Sequence, residues 1–120
     1  MSEKTKKLQP LNDGFLKICE VTDTALPGEM PAEGLKELWT HAFAERTVGM
    51  RRYYEALRTP ARIDMMVRCH LNRGCTTHHV IVMPDGEQYA IKQVQRILDT
   101  RPQAMDLSLE RLLEKYQVSG

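Results

Sequence analysis

Residues 62–71, RIDMMVRCHL, decide the fold class of this chain. Apolar side chains stand at every second position from Ile63 to Leu71, with charged or polar side chains between them, and only Met66 departs from the alternation. An alternation of this length is typical of a β-strand with one face on a core and the other on solvent or a partner. The stretch therefore predicts a strand of a mainly β domain.

A hairpin is predicted downstream of this strand. Residues 79–83, HVIVM, predict a second strand, and residues 84–87, PDGE, predict a tight turn into a third strand over residues 88–92. The apolar pattern then changes phase, since Tyr89 and Ile91 share a face but the next apolar residues lie three positions apart. A β-bulge near Lys92 or Gln93 would produce this shift and bend the strand.

The C-terminal region fits two structures. Residues 99–102 predict a turn, and residues 105–110, MDLSLE, alternate as a last strand. Helical spacing connects a second set of apolar side chains, namely Leu109, Leu112, Leu113 and Tyr116. A short C-terminal helical turn therefore competes with the end of the strand.

The N-terminal half predicts two further strands. Residues 14–22, GFLKICEVT, have a strand-like composition, and a segment rich in proline and glycine follows them. This segment predicts a long loop over residues 22–38, with a short helical turn at residues 31–37 as an alternative. Residues 39–48, WTHAFAERTV, predict the next strand, with its large ring side chains on one side.

One helix is predicted between the strands. Met50, Tyr53, Tyr54 and Leu57 have the spacing of one helix face, and Pro60 prevents the helix from continuing. About six strands with short turns and one inserted helix predict a small, closed or nearly closed antiparallel β-barrel. Such closure removes exposed strand edges.

The bulk composition fits one globular domain. The chain has 120 residues, of which 42% are apolar, and its 17 basic and 16 acidic residues give a net charge of +1. A chain with such balanced charges does not produce the strong positive electrostatic field of a basic nucleic-acid-binding protein, so any DNA contact must be local. Three cysteines and no apolar signal or membrane-spanning run predict a reducing cytosol. Residues 1–13 are expected to form a mobile tail before a single domain over residues 14–120.

A cluster of cysteines and histidines is the candidate metal site. Its members are Cys69, His70, Cys75, His78 and His79. Zinc requires four converging ligands, usually with two cysteines two to four residues apart, whereas five residues separate the two cysteines here. We therefore favour a buried thiol beside polar loop histidines over a metal site.

The sequence offers little for catalysis. A Cys–His nucleophile in the same cluster would need a third orienting group and an oxyanion site, and neither is visible. Gly86 lies in a hairpin turn rather than in a phosphate-binding loop, and no informative pair of carboxylates is present. We therefore predict no enzymatic activity and no cofactor.

A local basic region surrounds the predicted helix. It comprises Arg46, Arg51, Arg52, Arg58 and Arg62, with Tyr53 and Tyr54 interleaved. Arginine and tyrosine are enriched at protein interfaces and at nucleic-acid surfaces, although most charge runs simply face solvent. A partner interface, a nucleic-acid surface and a solvated face therefore all remain open.

Several motifs in one order resemble those of a known family. They are NDGFLKICEVTDTALPG at residues 12–28, ELWTHAFAERTVG at 37–49, MRRYYEAL at 50–57, RIDMMVR at 62–68, DGEQYAIKQV at 85–94 and LSLERL at 107–112. Together they are similar to the phage head–tail joining family, the head-closure or stopper proteins of long-tailed double-stranded DNA phages and prophages. The Cys–His loop departs from the family, in which this connection is usually short.

The resemblance implies a structural role. Members of the family are β-barrels that assemble as a ring below the portal and its adaptor, close the DNA-filled head and present a platform for the tail. The implied partners are the portal–adaptor ring, the tail-completion protein and further copies of the chain, with packaged DNA in the channel. The implied location is the virion, after assembly in the host cytoplasm. The implied contact residues are Arg46, Met50, Arg51, Arg52, Tyr53, Tyr54 and Leu57.

Overall fold

The computed structural model describes residues 7–8, 11–23, 28, 33–46 and 63–118. Within these ranges the chain forms strands and turns, and it forms no helix. The strands are β1 (Lys7–Leu8), β2 (Phe15–Asp23), β3 (Glu33–Arg46), β4 (Met65–His70), β5 (Val80–Val82), β6 (Gln88–Ile97), β7 (Thr100–Arg101), β8 (Ala104–Arg111) and β9 (Gln117–Val118).

Six of these strands form a closed ring of sheet. They are hydrogen bonded in the order β2, β5, β6, β8, β4 and β3, and β3 pairs with β2 to close the ring. Every neighbouring pair in the ring is antiparallel. The mainly β fold with a six-stranded antiparallel barrel, predicted from the sequence, is therefore confirmed. The inserted helix predicted over residues 50–57 lies outside the described residues.

The inward faces of the ring form one hydrophobic core. In β4 and β8, Val67 lies opposite Leu107 and Cys69 opposite Met105, and none of these four side chains has exposed surface. The alternation in residues 62–71 therefore identifies a core strand, as predicted. Further buried members of the same cluster are Leu16, Ile18, Phe43, Cys75, Ile81, Met83, Tyr89, Ile91 and Leu109.

The hairpin between β5 and β6 also follows the sequence pattern. Its turn is closed by hydrogen bonds from Met83 N to Glu87 O and from Gly86 N to Met83 O, both 2.9 Å long. Gly86 has a φ of +87°, which side-chain-bearing residues rarely adopt. Along the partner strand β8, the register of β6 shifts between Ile91 and Gln93, so the predicted bulge is confirmed.

β3 is longer than predicted. The loop predicted over residues 22–38 and the helical turn predicted over residues 31–37 are wrong from Glu33 onward, where β3 begins and pairs with the second half of β2. Gly34 and Leu35 are buried because β2 pairs with them on one side and β9 on the other. These pairings with distant strands outweigh the preference of the segment for a loop or a helical turn.

Residues 112–118, which follow β8 and include β9, are termed the C-terminal strap. The competing helical turn is wrong, because Leu109 lies within β8 facing the core while Leu113 is 81% exposed. The buried side chain of Gln88 holds the strap: its Nε2 donates to Tyr116 O, and Tyr116 N donates to its Oε1, each at 2.8 Å. β9 then pairs in parallel with β3.

A second, smaller apolar cluster lies beneath the C-terminal strap. Its buried members come from the outward faces of three strands and are Cys19, Leu35 and Val80. Leu112 and Tyr116 of the strap pack against it. The strap therefore fastens the β2–β3 hairpin to the outside of the barrel.

Parts of the predicted N-terminal tail have defined partners. Lys7–Leu8 pairs in parallel with Thr100–Arg101. Asp13 donates its backbone N–H to Phe43 O at 2.9 Å, and its Oδ2 accepts the backbone N–H of Glu45 at 2.7 Å. The barrel contacts therefore reach back to Asp13, one residue before the predicted domain boundary. None of the described residues forms a helix that could span a membrane.

Candidate interface

The predicted contact residues begin at Arg46, the last residue of β3. Arg46 is exposed, and its backbone lies opposite Met66 of β4. The other predicted contact residues lie outside the described residues, and they are Met50, Arg51, Arg52, Tyr53, Tyr54 and Leu57. The structure therefore places the start of the predicted interface at one corner of the barrel.

The outer face of the barrel beside Arg46 is polar yet buried. The register places Met66 opposite Ser108 of β8, and Ser108 opposite Gln93 of β6. Ser108 has no exposed surface, and neither its Oγ nor the buried Oε1 of Gln93 has a hydrogen-bond partner. Buried polar oxygens cost free energy unless they are paired, so this face differs from a plain solvated surface.

An ion pair lies one step further along the same face. Arg68 Nε donates to Asp106 Oδ1 at 2.6 Å, and Arg68 Nη2 donates to Asp106 Oδ2 at 2.9 Å. The two side chains are only 12% and 9% exposed. The hydrogen bonds to Asp106 raise the pKa of the Arg68 guanidinium, against the opposing effect of burial. The side chain of Arg68 is therefore occupied by its ion pair with Asp106, and this pair joins β4 to β8 next to the predicted interface.

An acidic cleft of about 370 Å³ opens near the same corner. Three carboxylates line it, those of Asp13, Glu45 and Asp85, together with apolar side chains that include Met65 and Phe43. The carboxylates would repel a phosphate backbone, whereas a protein surface can supply cationic and apolar groups to such a cleft. The cleft near the exposed Arg46 is thus acidic and apolar.

The two cysteines of the candidate metal site lie in the core. Cys69 has no exposed surface and Cys75 is 6% exposed. Burial raises the pKa of the Cys69 thiol to about 12, with a smaller contribution from the nearby Cys75, and burial raises the pKa of the Cys75 thiol to about 11. Neither thiol is a thiolate at neutral pH, which is the form that binds metal or attacks a substrate.

Two of the three histidines of that cluster lie in the loop and, unlike the thiols, are not buried. His78 is exposed, and Nδ1 of His79 accepts the backbone N–H of Thr76 at 3.0 Å. Across residues 7–8, 11–23, 28, 33–46 and 63–118, no group of three or more histidine, cysteine or acidic side chains is placed to hold a metal ion. The geometry therefore fits the buried-thiol interpretation.

The sequence analysis missed how this loop closes the barrel. Residues 71–79, termed the capping loop, cross the end of the ring from β4 to β5. Trp39 of β3 packs edge to face on His79, with the ring centroids 5.7 Å apart. A Cβ at Gly74 would lie 2.9 Å from the Trp39 ring, so a side chain there would force the ring to shift. The Asn-Arg-Gly turn at residues 72–74 was the available sequence signal.

A groove of about 630 Å³ separates the capping loop from β6. Thr76 and Thr77 line one side, and polar or cationic residues of β6 such as Lys92 and Arg96 line the other. β5 pairs with β6 only from Gln88 to Ala90. In the later part of β6, one edge therefore borders this groove while the other edge pairs with β8.

Comparison with known families and curated proteins does not assign the chain to a class of protein. No protein-family model matches the chain, and no curated protein is significantly similar to it in sequence. The resemblance to the phage head–tail joining family therefore rests on the motifs quoted above and on their placement in the barrel.

Proposed function

We propose that this chain is a structural protein of a phage head–tail connector. In this role it assembles as a ring below the portal and its adaptor, closes the DNA-filled head and provides the platform for the tail. Its partners are the adaptor ring, the tail-completion protein and further copies of itself. It acts in the virion, after assembly in the host cytoplasm.

The observation that carries this proposal is the closed six-stranded ring with its long β2–β3 hairpin. The motifs of the resemblance fall on β2, β3, β4, β6 and β8, which are five of the six strands of the ring. Residues 50–57, the predicted contact segment, follow directly after the exposed end of β3 at Arg46. A rigid barrel with a contact segment at one corner suits repeated assembly around a ring.

The chemistry of the thiols supports a structural role over a catalytic one. Cys69 and Cys75 are the nucleophiles that the sequence offered, and both are buried with raised pKa values. A catalytic cysteine requires the opposite, a lowered pKa and an exposed sulfur.

Assembly with a purified portal–adaptor complex tests the proposal. Wild-type chain is expected to co-sediment with the complex as a ring, and Arg46→Glu is expected to weaken that association because it reverses the charge at the predicted contact. Arg101→Glu, at an exposed arginine of β7, is the matched control and should assemble normally. A wild-type chain that stays monomeric in this mixture would contradict the proposal.

Deletion of the gene separates this role from other connector functions. Full heads that leak DNA, together with free tails, are expected for a head-closure protein. Empty, unpackaged heads would indicate an earlier step. Stable full heads with defective tails would indicate a tail-completion protein instead.

A nucleic-acid-binding barrel is the second candidate. Phe15 on β2 is 65% exposed, and exposed aromatic side chains on strands stack on the bases of single strands. This function predicts DNA binding that weakens steeply with salt and is lost in Phe15→Ala. No measurable affinity for single-stranded DNA at low salt would remove it.

A further inference from the structure

Two imidazole rings hold the capping loop against the end of the barrel. Nε2 of His41, on β3, lies 3.1 Å from Nδ2 of Asn72 at the start of the loop. Nδ1 of His79, at the end of the loop, accepts the backbone N–H of Thr76 at 3.0 Å. Each end of the loop is therefore fastened through a histidine nitrogen.

The hydrogen-bond partner of His41 determines the protonation state of its ring. Asn72 Oδ1 accepts the backbone N–H of Gly74 at 2.9 Å, so the amide group that faces His41 is the NH₂, which can only donate. His41 Nε2 must therefore be unprotonated to accept the hydrogen bond from Asn72 Nδ2. Nδ1 of His79 also lies 3.3 Å from Thr76 Oγ1, a hydroxyl that can donate or accept, so His41 is the ring whose protonation the contacts exclude.

The charged groups around the two rings are few. His70 of β4 has an electrostatic effect on His41. On β2, the residue that pairs with His41 is Leu16, which is uncharged. His79 contacts Trp39 and Thr76. In the part of the chain that the structure describes, neither ring forms an ion pair with a carboxylate. No described anion is therefore placed to stabilise a positive charge on either ring.

We propose that the capping loop is an acid-sensitive latch, released from the end of the barrel when His41 becomes protonated. A proton on His41 Nε2 would oppose the Asn72 NH₂, so this hydrogen bond would become a repulsive contact. The inference concerns the barrel itself and does not depend on the proposed connector function.

The environment of His41 sets the direction of this response. Burial lowers the pKa of His41, and the neighbouring His70 lowers it further. The neutral, hydrogen-bonded ring is thus favoured near neutral pH, and release requires a pH below about 6.5, the ordinary value for histidine.

The only tryptophan of the chain reports on the latch. Trp39 is half-buried against His79 and Gly74 of the loop. Release of the loop would expose its ring to water and shift its emission to longer wavelength. Amide hydrogen exchange at Gly74 and Thr76, corrected for the intrinsic effect of pH, provides an independent measurement of the same event.

The test compares the full-length wild type with two variants between about pH 8 and pH 5, where histidine titrates. His41→Gln places a non-titrating amide oxygen near the acceptor position of Nε2. His78→Asn removes an exposed histidine of the same loop and is the matched control.

We expect exchange at Gly74 and Thr76 to rise about tenfold on acidification in the wild type and in His78→Asn, as loss of one hydrogen bond implies. His41→Gln should show neither this rise nor the shift of Trp39 emission. A transition that persists in His41→Gln, or a wild type without one, would overturn the proposal. If His41→Gln does not fold, nitrogen NMR of the wild-type His41 ring decides: loop amides that stay protected while this ring protonates would also overturn it.

Discussion

The guanidinium of Arg68 and the carboxylate of Asp106 join β4 to β8 through two parallel hydrogen bonds on the outer face of the barrel. Both side chains are nearly buried, so solvent screens the pair only weakly. A buried pair is costly to break from one side, because the remaining charge keeps its desolvation penalty without its partner.

Asp106→Ala is therefore expected to destabilise the fold by about 3 kcal/mol. The free energy of unfolding in urea measures this change. Arg68→Met combined with Asp106→Leu should recover most of the loss, since it removes both charges and fills the space with apolar atoms. A double variant as unstable as Asp106→Ala would show that the two residues act separately.

Gln88→Ala is expected to release the C-terminal strap. The change removes the two hydrogen bonds to Tyr116 and leaves backbone groups unpaired, at a cost of about 2 kcal/mol. Hydrogen exchange at Tyr116 should accelerate before that of the core strands. Gln95→Ala, at an exposed glutamine of the same strand, is the control and should leave Tyr116 protected.

Leu107→Ala is expected to cost about 3 kcal/mol, because Leu107 has no exposed surface and its truncation leaves a cavity between β4 and β6. Leu113→Ala removes the same atoms from a side chain that is 81% exposed, and it should change stability by less than about 0.5 kcal/mol. Thermal unfolding of the two variants checks the difference. Equal losses would be inconsistent with a core organised around β8.

The buried thiols predict a loss of stability at alkaline pH. The pKa values of Cys69 and Cys75 lie above the ordinary value of 9.0, so the folded chain keeps these protons where the unfolded chain loses them. Their contribution to stability is complete below about pH 9 and declines as the pH rises toward the folded values. Urea unfolding at about pH 8 and pH 10 measures the decline.

Cys69→Ala isolates the part of the alkaline loss of stability that is due to one thiol. The variant is less stable at every pH because it loses packing, but its stability should fall less steeply between these two pH values. A native wild-type chain should also react slowly with a thiol reagent at neutral pH and rapidly in urea. Fast reaction of Cys69 in the native state would contradict its burial.

The sequence predicted the strands whose patterns are local. Period-2 alternation identified β4 and β8, and a Pro-Asp-Gly-Glu turn identified the β5–β6 hairpin. A single change of phase at residues 91–94 even located the bulge. In each case the residues that define the strand or turn also form its contacts, so the local sequence pattern was sufficient to predict it.

The regions that were predicted wrongly depend on distant partners. Residues 33–38, EGLKEL, contain good helix formers, and they become a strand because β2 and β9 pair with them. The strap depends on the side chain of Gln88, far away in sequence. The contacts of His41 and His79 likewise join β3 to the capping loop. No periodic sequence pattern relates these two segments.

The candidate interface was predicted from composition and from the family resemblance, and it stays a prediction. Arg46 is exposed at the end of β3. The three carboxylates of the nearby cleft, those of Asp13, Glu45 and Asp85, come from three separate parts of the chain. Sequence position alone could not have brought these three carboxylates together.

The position of β8 in the ring also affects how the chain folds during its synthesis. Without β8, the native pairings leave an open sheet in the order β4, β3, β2, β5 and β6, with β4 and β6 as its unpaired edges. Among the described strands, β8 is the last long one to be synthesised, and it pairs with both edges at once. The barrel therefore closes only after Ala104–Arg111 has left the ribosome, and chains that terminate before Ala104 would present two open edges to other nascent chains.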